Sequence, residues 1–367
     1  MNIAKFIRQN IVLTVAFFAA LLTSIIVPPD KEYLTYFDFK TLTCLFCVLA
    51  VVCALKNINF FYILAQKIVR RFKTTRACII ALVYITFIGS MLIANDMALL
   101  TFLPLGYFVL SSTNKHKYMC FTFIMQNIAA NLGGMLTPFG NPQNLYLYTK
   151  FNIPTGEFIS IMTPPFLISI SIITICCLFV KSQTLELDAV SPWESKKRIG
   201  IYLLLFTLSI AIVFRTIPYI YGLIIIPAAL LVLDRKALKM VDYPLLLTFV
   251  FFFIFAGNMS RIEIIQKIFS FLLNKSTLLF SVLSCQLISN VPSAILLSRF
   301  TQNYADLLIG VNIGGVGTLI ASLASLITFR EYIKYNPKKT LYYIGMFSAF
   351  NFGFLILLTC SELILLH

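Results

Sequence analysis

The sequence predicts an all-α polytopic membrane protein made of two inverted repeats, with about nine spans and two re-entrant hairpins. Hydrophobic residues make up 59% of the 367 residues, whereas charged residues make up only 12%. Apolar runs of about 20 residues, the length that crosses a bilayer as a helix, recur from end to end. Polar sequence interrupts these runs at matching places in the two halves. A membrane β-barrel is excluded, because its strands would be about ten residues long and would alternate in polarity.

The basic residues indicate how the chain crosses the membrane. The net charge of +15 could suggest a nucleic-acid partner, but the charges lie in short loops between apolar segments, as the positive-inside rule describes. With the N-terminus in the cytoplasm, the loops on that side hold 21 of the 29 basic residues. We therefore predict no nucleic-acid partner, a plasma-membrane location, a cytoplasmic N-terminus and an external C-terminus.

The predicted spans follow the apolar runs in order. They cover 10–27, 38–56, 118–148, 158–180, 199–214, 219–233, 243–260, 306–329 and 340–362. The first run is interpreted as a retained helix rather than a signal peptide, because no small-residue cleavage site stands out before Pro28. The polar stretch 181–198 is the predicted cytoplasmic linker between an N-terminal repeat (1–180) and a C-terminal repeat (199–367).

One stretch, NLGGMLTPFGNPQNL (131–145), cannot remain a continuous helix. It contains two adjacent glycines, two prolines and three asparagines. Backbone that leaves helical geometry at membrane depth is tolerated only where protein buries it or where it lines a watery cavity. The stretch therefore predicts a broken membrane helix that lines a site. The alternative is a surface loop between two ordinary spans.

Two further apolar stretches are interrupted near their middle. The first, 77–111, is broken at 94–96, and the second, 276–299, is broken at 289–292. The first stretch has positive charge at both ends, which a hairpin that enters from the cytoplasm and returns to it would satisfy. We predict re-entrant hairpins with polar tips. Two full spans joined by a tight turn are the rival interpretation.

Asp96 is a carboxylate in the middle of a membrane-embedded apolar stretch. Such a charge costs about 2.5–3.5 kcal/mol on insertion scales and usually faces a polar pathway. We expect Asp96 to act in coupling, either by binding Na⁺ or by carrying a proton. If 94–96 is an external turn instead, Asp96 is only a turn residue.

The second broken segment, 312–326, repeats the first. The matched positions are Asn131 with Asn312, Gly133 and Gly134 with Gly314 and Gly315, Thr137 with Thr318, Asn141 with Ser322, and Asn144 with Ser325. Asp38 and Asp242 each open a span ahead of these features, and the charge pattern places them on opposite sides. We interpret both as interfacial caps or charge anchors at span ends. Inverted repeats with discontinuous helices are the architecture of secondary transporters. Half-helix N-termini suit an anion, and carboxylate, carbonyl and amide oxygens suit a coupling cation.

Five stretches together resemble the ion transporter superfamily, and most closely its citrate-transporter-like and arsenite-permease-like anion permeases. They are IANDMALLTFLPL (93–105), ANLGGMLTPFGNPQNLYLY (130–148), FFFIFAGNMSRI (251–262), LISNVPSAILL (287–297) and VNIGGVGTLIASLASLI (311–327). The resemblance implies two re-entrant hairpins, a scaffold domain for dimerisation, and a substrate domain that moves like an elevator. The two hairpin tips here are Ala-Asn-Asp (94–96) and Ser-Asn-Val (289–291), whereas the sodium-coupled dicarboxylate members have Ser-Asn-Thr at both tips. This difference favours the arsenite-permease-like branch.

The resemblance also implies which residues bind substrate and cation. They are Asn95, Asp96, Asn131, Gly133, Gly134, Thr137, Gly140, Asn141, Asn144, Ser289, Asn290, Asn312, Gly314, Gly315, Thr318, Ser322 and Ser325. A Na⁺ site is expected at Asn95, Asp96 and Asn290.

The predicted function is secondary transport of a small inorganic or carboxylate anion, such as citrate, coupled to Na⁺ or H⁺. Arsenite or antimonite efflux and Na⁺/H⁺ antiport on the same fold are the alternatives within transport. No GxxxxGK[ST], GxSxG or HExxH motif occurs, so neither an enzyme nor an ATP-driven pump is predicted. We expect no cofactor beyond the coupling ion, and a homodimer embedded in the lipid bilayer.

Overall fold

The computed structural model describes residues 11–184 and 196–365, and these two ranges form helices joined by short loops. They contain no strand, only an isolated bridge between Thr74 and Thr184. Six helical stretches in the described residues are long and apolar enough to cross a membrane, and several shorter apolar helices accompany them. This confirms the predicted all-α polytopic membrane protein. Most of the predicted linker 181–198 lies outside the described residues.

The helices of the first half follow the predicted order. They are α1 (Ile11–Ile26), α2 (Phe39–Asn57), α3 (Phe60–Val69), α4 (Thr75–Ile93), α5 (Asn95–Ser112), α6 (Met119–Gly133), α7 (Pro142–Lys150) and α8 (Thr155–Leu178). The predicted hairpin 77–111 is thus two helices, α4 and α5, and the long predicted span 118–148 is two half-helices, α6 and α7.

The helices of the second half repeat the pattern after two additional apolar helices. They are α9 (Lys196–Val213), α10 (Tyr219–Leu233), α11 (Arg235–Met240), α12 (Tyr243–Ser260), α13 (Glu263–Lys275), α14 (Thr277–Ile288), α15 (Asn290–Leu297), α16 (Tyr304–Ile313), α17 (Leu323–Tyr335) and α18 (Thr340–Leu365). Here α14 and α15 correspond to α4 and α5, and α16 and α17 correspond to α6 and α7.

Asp38 and Asp242 start equivalent helices. The Asp38 carboxylate accepts the Thr41 N–H at 2.9 Å, and the Asp242 carboxylate accepts the Leu245 N–H at 2.9 Å. Each therefore satisfies one of the free N–H groups in the first turn of its helix, α2 or α12. The predicted role of these residues as caps at span ends agrees with this geometry.

The first helix break forms where Gly and Pro residues were expected to end helical geometry. Helix α6 ends at Gly133, a short 3₁₀ turn follows, and α7 begins at Pro142. Proline suits the first position of a helix, because its missing N–H would have no partner there. A Cβ on Gly140 would collide with the Gly134 carbonyl oxygen. The backbone at Gly134 and the backbone at Gly140 therefore lie so close together that only glycine fits at position 140.

Both hairpin tips have the same unusual backbone. Ala94 has φ 66° and ψ 151°, and Ser289 has φ 75° and ψ 158°. Positive φ is strained for any residue with a side chain, so the surrounding structure must impose it. Ala94 and Asn95 are only 8% and 3% exposed. This burial favours a hairpin that ends inside the protein over a tight turn on the outer surface.

The two halves of the chain pack into each other. Helix α1 packs along α12, and α17 packs against α5 and α6. Helix α2 packs against α9, α10 and α11, and it also reaches α7. The proposed repeats, 1–180 and 199–367, are therefore divisions of the sequence and not two separately packed bodies.

Candidate transport site

Each hairpin tip is tied to the broken helix of its own half by the same bonds. The Asn95 N–H donates to Gly140 O at 3.2 Å, and the Asn290 N–H donates to Ala321 O at 2.9 Å. Each asparagine Oδ1 then accepts the next backbone N–H of its helix at 2.9 Å. The two tips therefore share these hydrogen bonds of the asparagine, although the residues on either side of it differ.

A threonine in each break makes a second equivalent contact. The Thr137 hydroxyl donates to Met91 O at 2.7 Å, and the Thr318 hydroxyl donates to Gln286 O at 3.2 Å. Both acceptors lie at the end of the first hairpin helix, one turn before the tip. Because one hydroxyl fixes each break against its hairpin, the pair of predicted threonines holds the tips in place.

Amide side chains join the two breaks across the molecule. Asn312 donates to Asn144 Oδ1 at 2.6 Å and accepts from Asn141 at 3.2 Å. Asn127, on α6, donates to Ser325 at 3.3 Å. All of these side chains are buried. The asparagines and serines of the two breaks thus belong to one hydrogen-bonded network, in which most of the buried amide atoms have partners.

A cavity of about 230 Å³ lies between the two tips. Four of the predicted residues line it: Asn95, Asp96, Ser289 and Asn290. The other lining residues are Val12, Leu13, Pro142, Gln143, Asp242, Pro244, Leu245, Thr248, Val291, Pro292, Leu323, Leu326, Ile327 and Arg330.

The remaining predicted residues form the frame of the cavity and do not line it. They are Asn131, Gly133, Gly134, Thr137, Gly140, Asn141, Asn144, Asn312, Gly314, Gly315, Thr318, Ser322 and Ser325. Asn131 shows how the frame reaches the cavity, because its Oδ1 accepts from Asn95 Nδ2 at 3.2 Å.

Three oxygen-bearing side chains give the cavity its acceptor character. Asp96 Oδ1 and Gln143 Oε1 are both buried without a hydrogen-bond partner, and Gln143 is only 1% exposed. Asp242 lines the same cavity, together with a second one of about 20 Å³ that also includes Asp96. The smaller cavity has room for about one water molecule. Buried acceptors without partners are suited to a proton or a cation.

The predicted Na⁺ site at Asn95, Asp96 and Asn290 has fewer free oxygens than expected. Both asparagine Oδ1 atoms already accept a backbone N–H of their own helix. Among the described residues, no group of three or more His, Cys, Asp or Glu side chains could hold a metal ion. The unpartnered acceptors of the cavity belong instead to Asp96 and Gln143, and Asp242 contributes a second carboxylate. Gln143 was not among the predicted site residues, although it lies within the GNPQN motif, and Asp242 was predicted only as a cap or charge anchor at a span end.

Two arginines connect the halves away from the cavity. Arg215 donates to the carbonyl oxygens of Tyr148 and Ile153, the latter at 3.2 Å, and its guanidinium lies 4.1 Å from the Tyr148 ring centroid. Arg299 donates to Tyr36 O at 2.8 Å, and its guanidinium lies 5.7 Å from the Tyr36 ring centroid. Each arginine combines a main-chain hydrogen bond with a cation–π contact.

Residues 3–309 match the family described as citrate transporter. The chain belongs to the citrate transporter family. The match to this family includes both hairpins and the first break, and it ends three residues before Asn312. Membership of the citrate transporter family, together with the apolar helices, makes the protein a multi-pass membrane transporter.

Two curated relatives cover most of the chain. One is the uncharacterized transporter MJ0456 of Methanocaldococcus jannaschii, which is 37% identical over 313 residues, or 84% of this chain and 85% of the relative. The other is the inner membrane protein YbiR of Escherichia coli, which is 29% identical over 315 residues, or 82% of each chain. Neither name states a substrate, so these relatives support transport in general terms.

Proposed function

We propose that the protein is a secondary active transporter of a small anion, a di- or tricarboxylate such as citrate, coupled to Na⁺ or H⁺. The observation that supports this proposal is the cavity between the two tips, where α5 begins at Asn95 and α15 begins at Asn290. Helix N-termini favour anions without a fixed cation. Family membership supports the same substrate class.

The carboxylates in the cavity support coupling. Asp96 and Asp242 both line it, and an anion beside two ionised carboxylates would be repelled. A proton or a cation bound to Asp96 would remove that repulsion. Substrate and coupling ion would then bind more tightly together than separately, which is the condition for coupled transport.

An elevator mechanism is part of the proposal. The hairpins α4–α5 and α14–α15, with the broken helices behind them, would move as one body. Helices α1, α2 and α9–α12, which pack among themselves, would remain as a scaffold in a homodimer. We also propose that the protein lies in the cell membrane with a cytoplasmic N-terminus, in line with the charge pattern and with the inner-membrane name of the Escherichia coli relative.

The test is transport in proteoliposomes loaded to impose a Na⁺ or an H⁺ gradient, with labelled citrate and succinate as probes. We expect uptake to depend on one of the gradients, and Asp96→Asn to lower gradient-driven uptake at least about tenfold. The matched control is Glu263→Gln, which removes an acid whose exposed ion pair with Lys267 lies outside the cavity. Unchanged coupling in Asp96→Asn would exclude Asp96 from that role.

Na⁺/H⁺ antiport is a second candidate, because the two carboxylates in the cavity could exchange cations without any anion. In the same liposomes, a pH-sensitive dye would report H⁺ efflux on addition of Na⁺ alone. Such a flux, with no uptake of citrate or succinate, would favour antiport over anion transport.

A further inference from the structure

One face of the half-helix α17 leads out of the cavity. Leu323, Leu326, Ile327 and Arg330 all line the cavity, and their spacing places them on one stripe of the helix. Arg330 lies about 10 Å along the helix axis from Leu323. The stripe therefore begins at the second helix break and ends in a positive charge.

The opposite wall is built from the beginnings of two scaffold helices. Val12 and Leu13 lie at the start of α1, and Asp242 and Leu245 lie at the start of α12. In the predicted topology, these helix starts and Arg330 are all on the cytoplasmic side. The cavity thus has an inner end at the hairpin tips and a mouth at Arg330, which we call the Arg330 mouth.

Arg330 is exposed and, among the described residues, has no ion pair, hydrogen bond or cation–π contact. Its neighbour Glu331 pairs instead with Lys334 at 3.3 Å. Arg330 is also the one cationic side chain among the described residues that line the cavity. A guanidinium with no partner has its full set of donors available, in the fork geometry that suits carboxylates.

We propose that Arg330 is the first contact of the transported anion at this mouth. The inference rests on the proposed function and adds to it a residue that recognises the anion on entry. An anion approaching Asp96 and Asp242 meets repulsion, and one cation at the mouth offsets this and raises the local anion concentration. A neutral or cationic substrate would gain nothing from Arg330.

The test compares initial rates in vesicles of the two orientations, with labelled citrate and succinate as probes. On the side of the Arg330 mouth, Arg330→Gln is expected to raise the KM about tenfold, the effect of losing one charge-assisted contact, with little change in kcat. On the other side the KM should stay within about twofold, because the anion enters there without passing Arg330. Arg330→Lys keeps the charge and should retain most of the affinity.

The matched control is Lys334→Gln, which removes a basic residue one turn further along the same helix that does not line the cavity. If Arg330→Gln has the same KM as Lys334→Gln on both sides, the inference is wrong and Arg330 is a surface residue of α17. That result leaves the proposed function intact, because the wild-type protein would still transport the anion. Absence of anion transport in the wild type would reject the proposed function itself, and this inference with it.

Ionic strength gives a test that needs no variant. Salt screens an exposed guanidinium, so the wild-type KM at the Arg330 mouth should rise with added potassium chloride, and the KM on the other side should rise less. Equal salt dependence on both sides would overturn the proposal even if Arg330→Gln failed to fold.

Discussion

Asn312 is the residue on which most of the buried amide network depends. It donates to Asn144 and Leu308 O and accepts from Asn141 and Gln143, at 2.6 to 3.4 Å. It is 1% exposed, so water cannot replace it as a partner. Asn312 thus makes most of the bonds between the two breaks, beside the separate bond from Asn127 to Ser325.

We expect Asn312→Ala to lower stability by about 2–4 kcal/mol, because it leaves several buried polar groups without a partner. Thermal unfolding in detergent should show a decrease of several degrees in apparent Tm. Ser171→Ala is the control, since Ser171 makes only a helix-internal hydrogen bond on an exposed face of α8. Equal Tm values for the two variants would contradict the central role of Asn312.

A second residue-scale prediction concerns the ion pair between Asp30, in the loop before α2, and Arg261, which follows α12. Asp30 Oδ2 and Arg261 Nη2 lie 2.7 Å apart. The Arg261 guanidinium lowers the pKa of the Asp30 carboxyl below its usual value. A lowered pKa stabilises the folded state above the unfolded pKa of about 3.9, and the effect disappears as the pH falls through the folded pKa.

Asp30→Asn should therefore reduce the apparent Tm slightly between pH 5 and pH 7 and have no effect near pH 2. Both carboxylate and guanidinium are partly exposed, so added salt should shrink the difference at neutral pH. A Tm difference that persists unchanged at low pH would show that the Asp30 charge is not its cause.

At this scale the sequence predicted which residue types build the site but not all of its positions. The asparagines of the breaks follow from the repeat, and Asn312 of the second break contacts Asn141 and Asn144 of the first. Gln143 and Asp242 were not assigned to the site, because their approach to Asp96 depends on tertiary packing between distant helices. Periodicity within one helix carries no information about such a contact.

At the scale of elements, the first helix break requires a residue without a side chain at position 140, in addition to the polar residues that line the break. The Gly140 carbonyl accepts the tip N–H of Asn95, and a Cβ at this glycine would meet the backbone of Gly134 and the hydroxyl of Thr137. The Gly134 backbone and the Thr137 hydroxyl cannot move away from such a Cβ without displacing the hairpin tip. The conformation of the break and the position of the hairpin therefore depend on each other.

Gly140→Ala is expected to reduce transport by at least tenfold and to lower the apparent Tm, since overpacking of this kind costs about 1–3 kcal/mol. The measurement is uptake in proteoliposomes together with thermal unfolding. The control is Gly345→Ala in α18, where a Cβ meets nothing within 4 Å. Gly345→Ala should leave transport unchanged and raise the apparent Tm slightly, because alanine has a higher helix propensity than glycine. Normal transport by Gly140→Ala would show that the break tolerates a wider separation.

The elements themselves were largely predictable. Glycine, proline and asparagine mark the breaks at 131–145 and 312–326, and the apolar runs give the helices within a few residues of their ends. The burial of the tips could not be derived from composition. Charge at both ends of 77–111 fits either a hairpin or two crossings, and the burial of the tip and the contact of Asn95 with the break favour the hairpin.

At the scale of the whole molecule, Arg299 connects the end of α15 to the loop before α2. Its hydrogen bond to Tyr36 O and its contact with the Tyr36 ring join a hairpin to the proposed scaffold. We expect Arg299→Gln to speed amide hydrogen exchange about tenfold in 290–300, because a charged hydrogen bond that holds this segment is lost.

Arg261→Gln is the matched control for this exchange experiment. Arg261 also contacts Tyr36, through its hydroxyl at 3.1 Å, but it follows α12 and so joins two parts of the proposed scaffold. Its loss should change exchange in the loop before α2 and leave 290–300 protected. If both variants increase the amide exchange rate of residues 290–300 equally, the hairpin and the scaffold do not behave as separate bodies.

How the two halves interlock could not be predicted from the sequence. The repeat shows that equivalent elements exist, but it does not say that α1 packs along α12 or that α17 packs against α5 and α6. Those contacts depend on the shapes of apolar surfaces that are all similarly rich in Leu, Ile and Phe. The sequence therefore predicted the helices and their order along the chain, but it did not predict which helices pack against each other.

The bond between Asn141 and Asn312 also has a consequence for biogenesis. The two residues are separated by 171 positions, so a ribosome adding 5–20 residues per second needs roughly 10–35 seconds to supply the partner. During that interval the amide atoms of Asn141 and Asn144 that bind Asn312 must be met by water or by the insertion machinery, because lipid offers no hydrogen bonds. A nascent chain that ends before α9 should therefore be degraded faster in cells than the complete protein, and equal half-lives in a pulse-chase experiment would refute this.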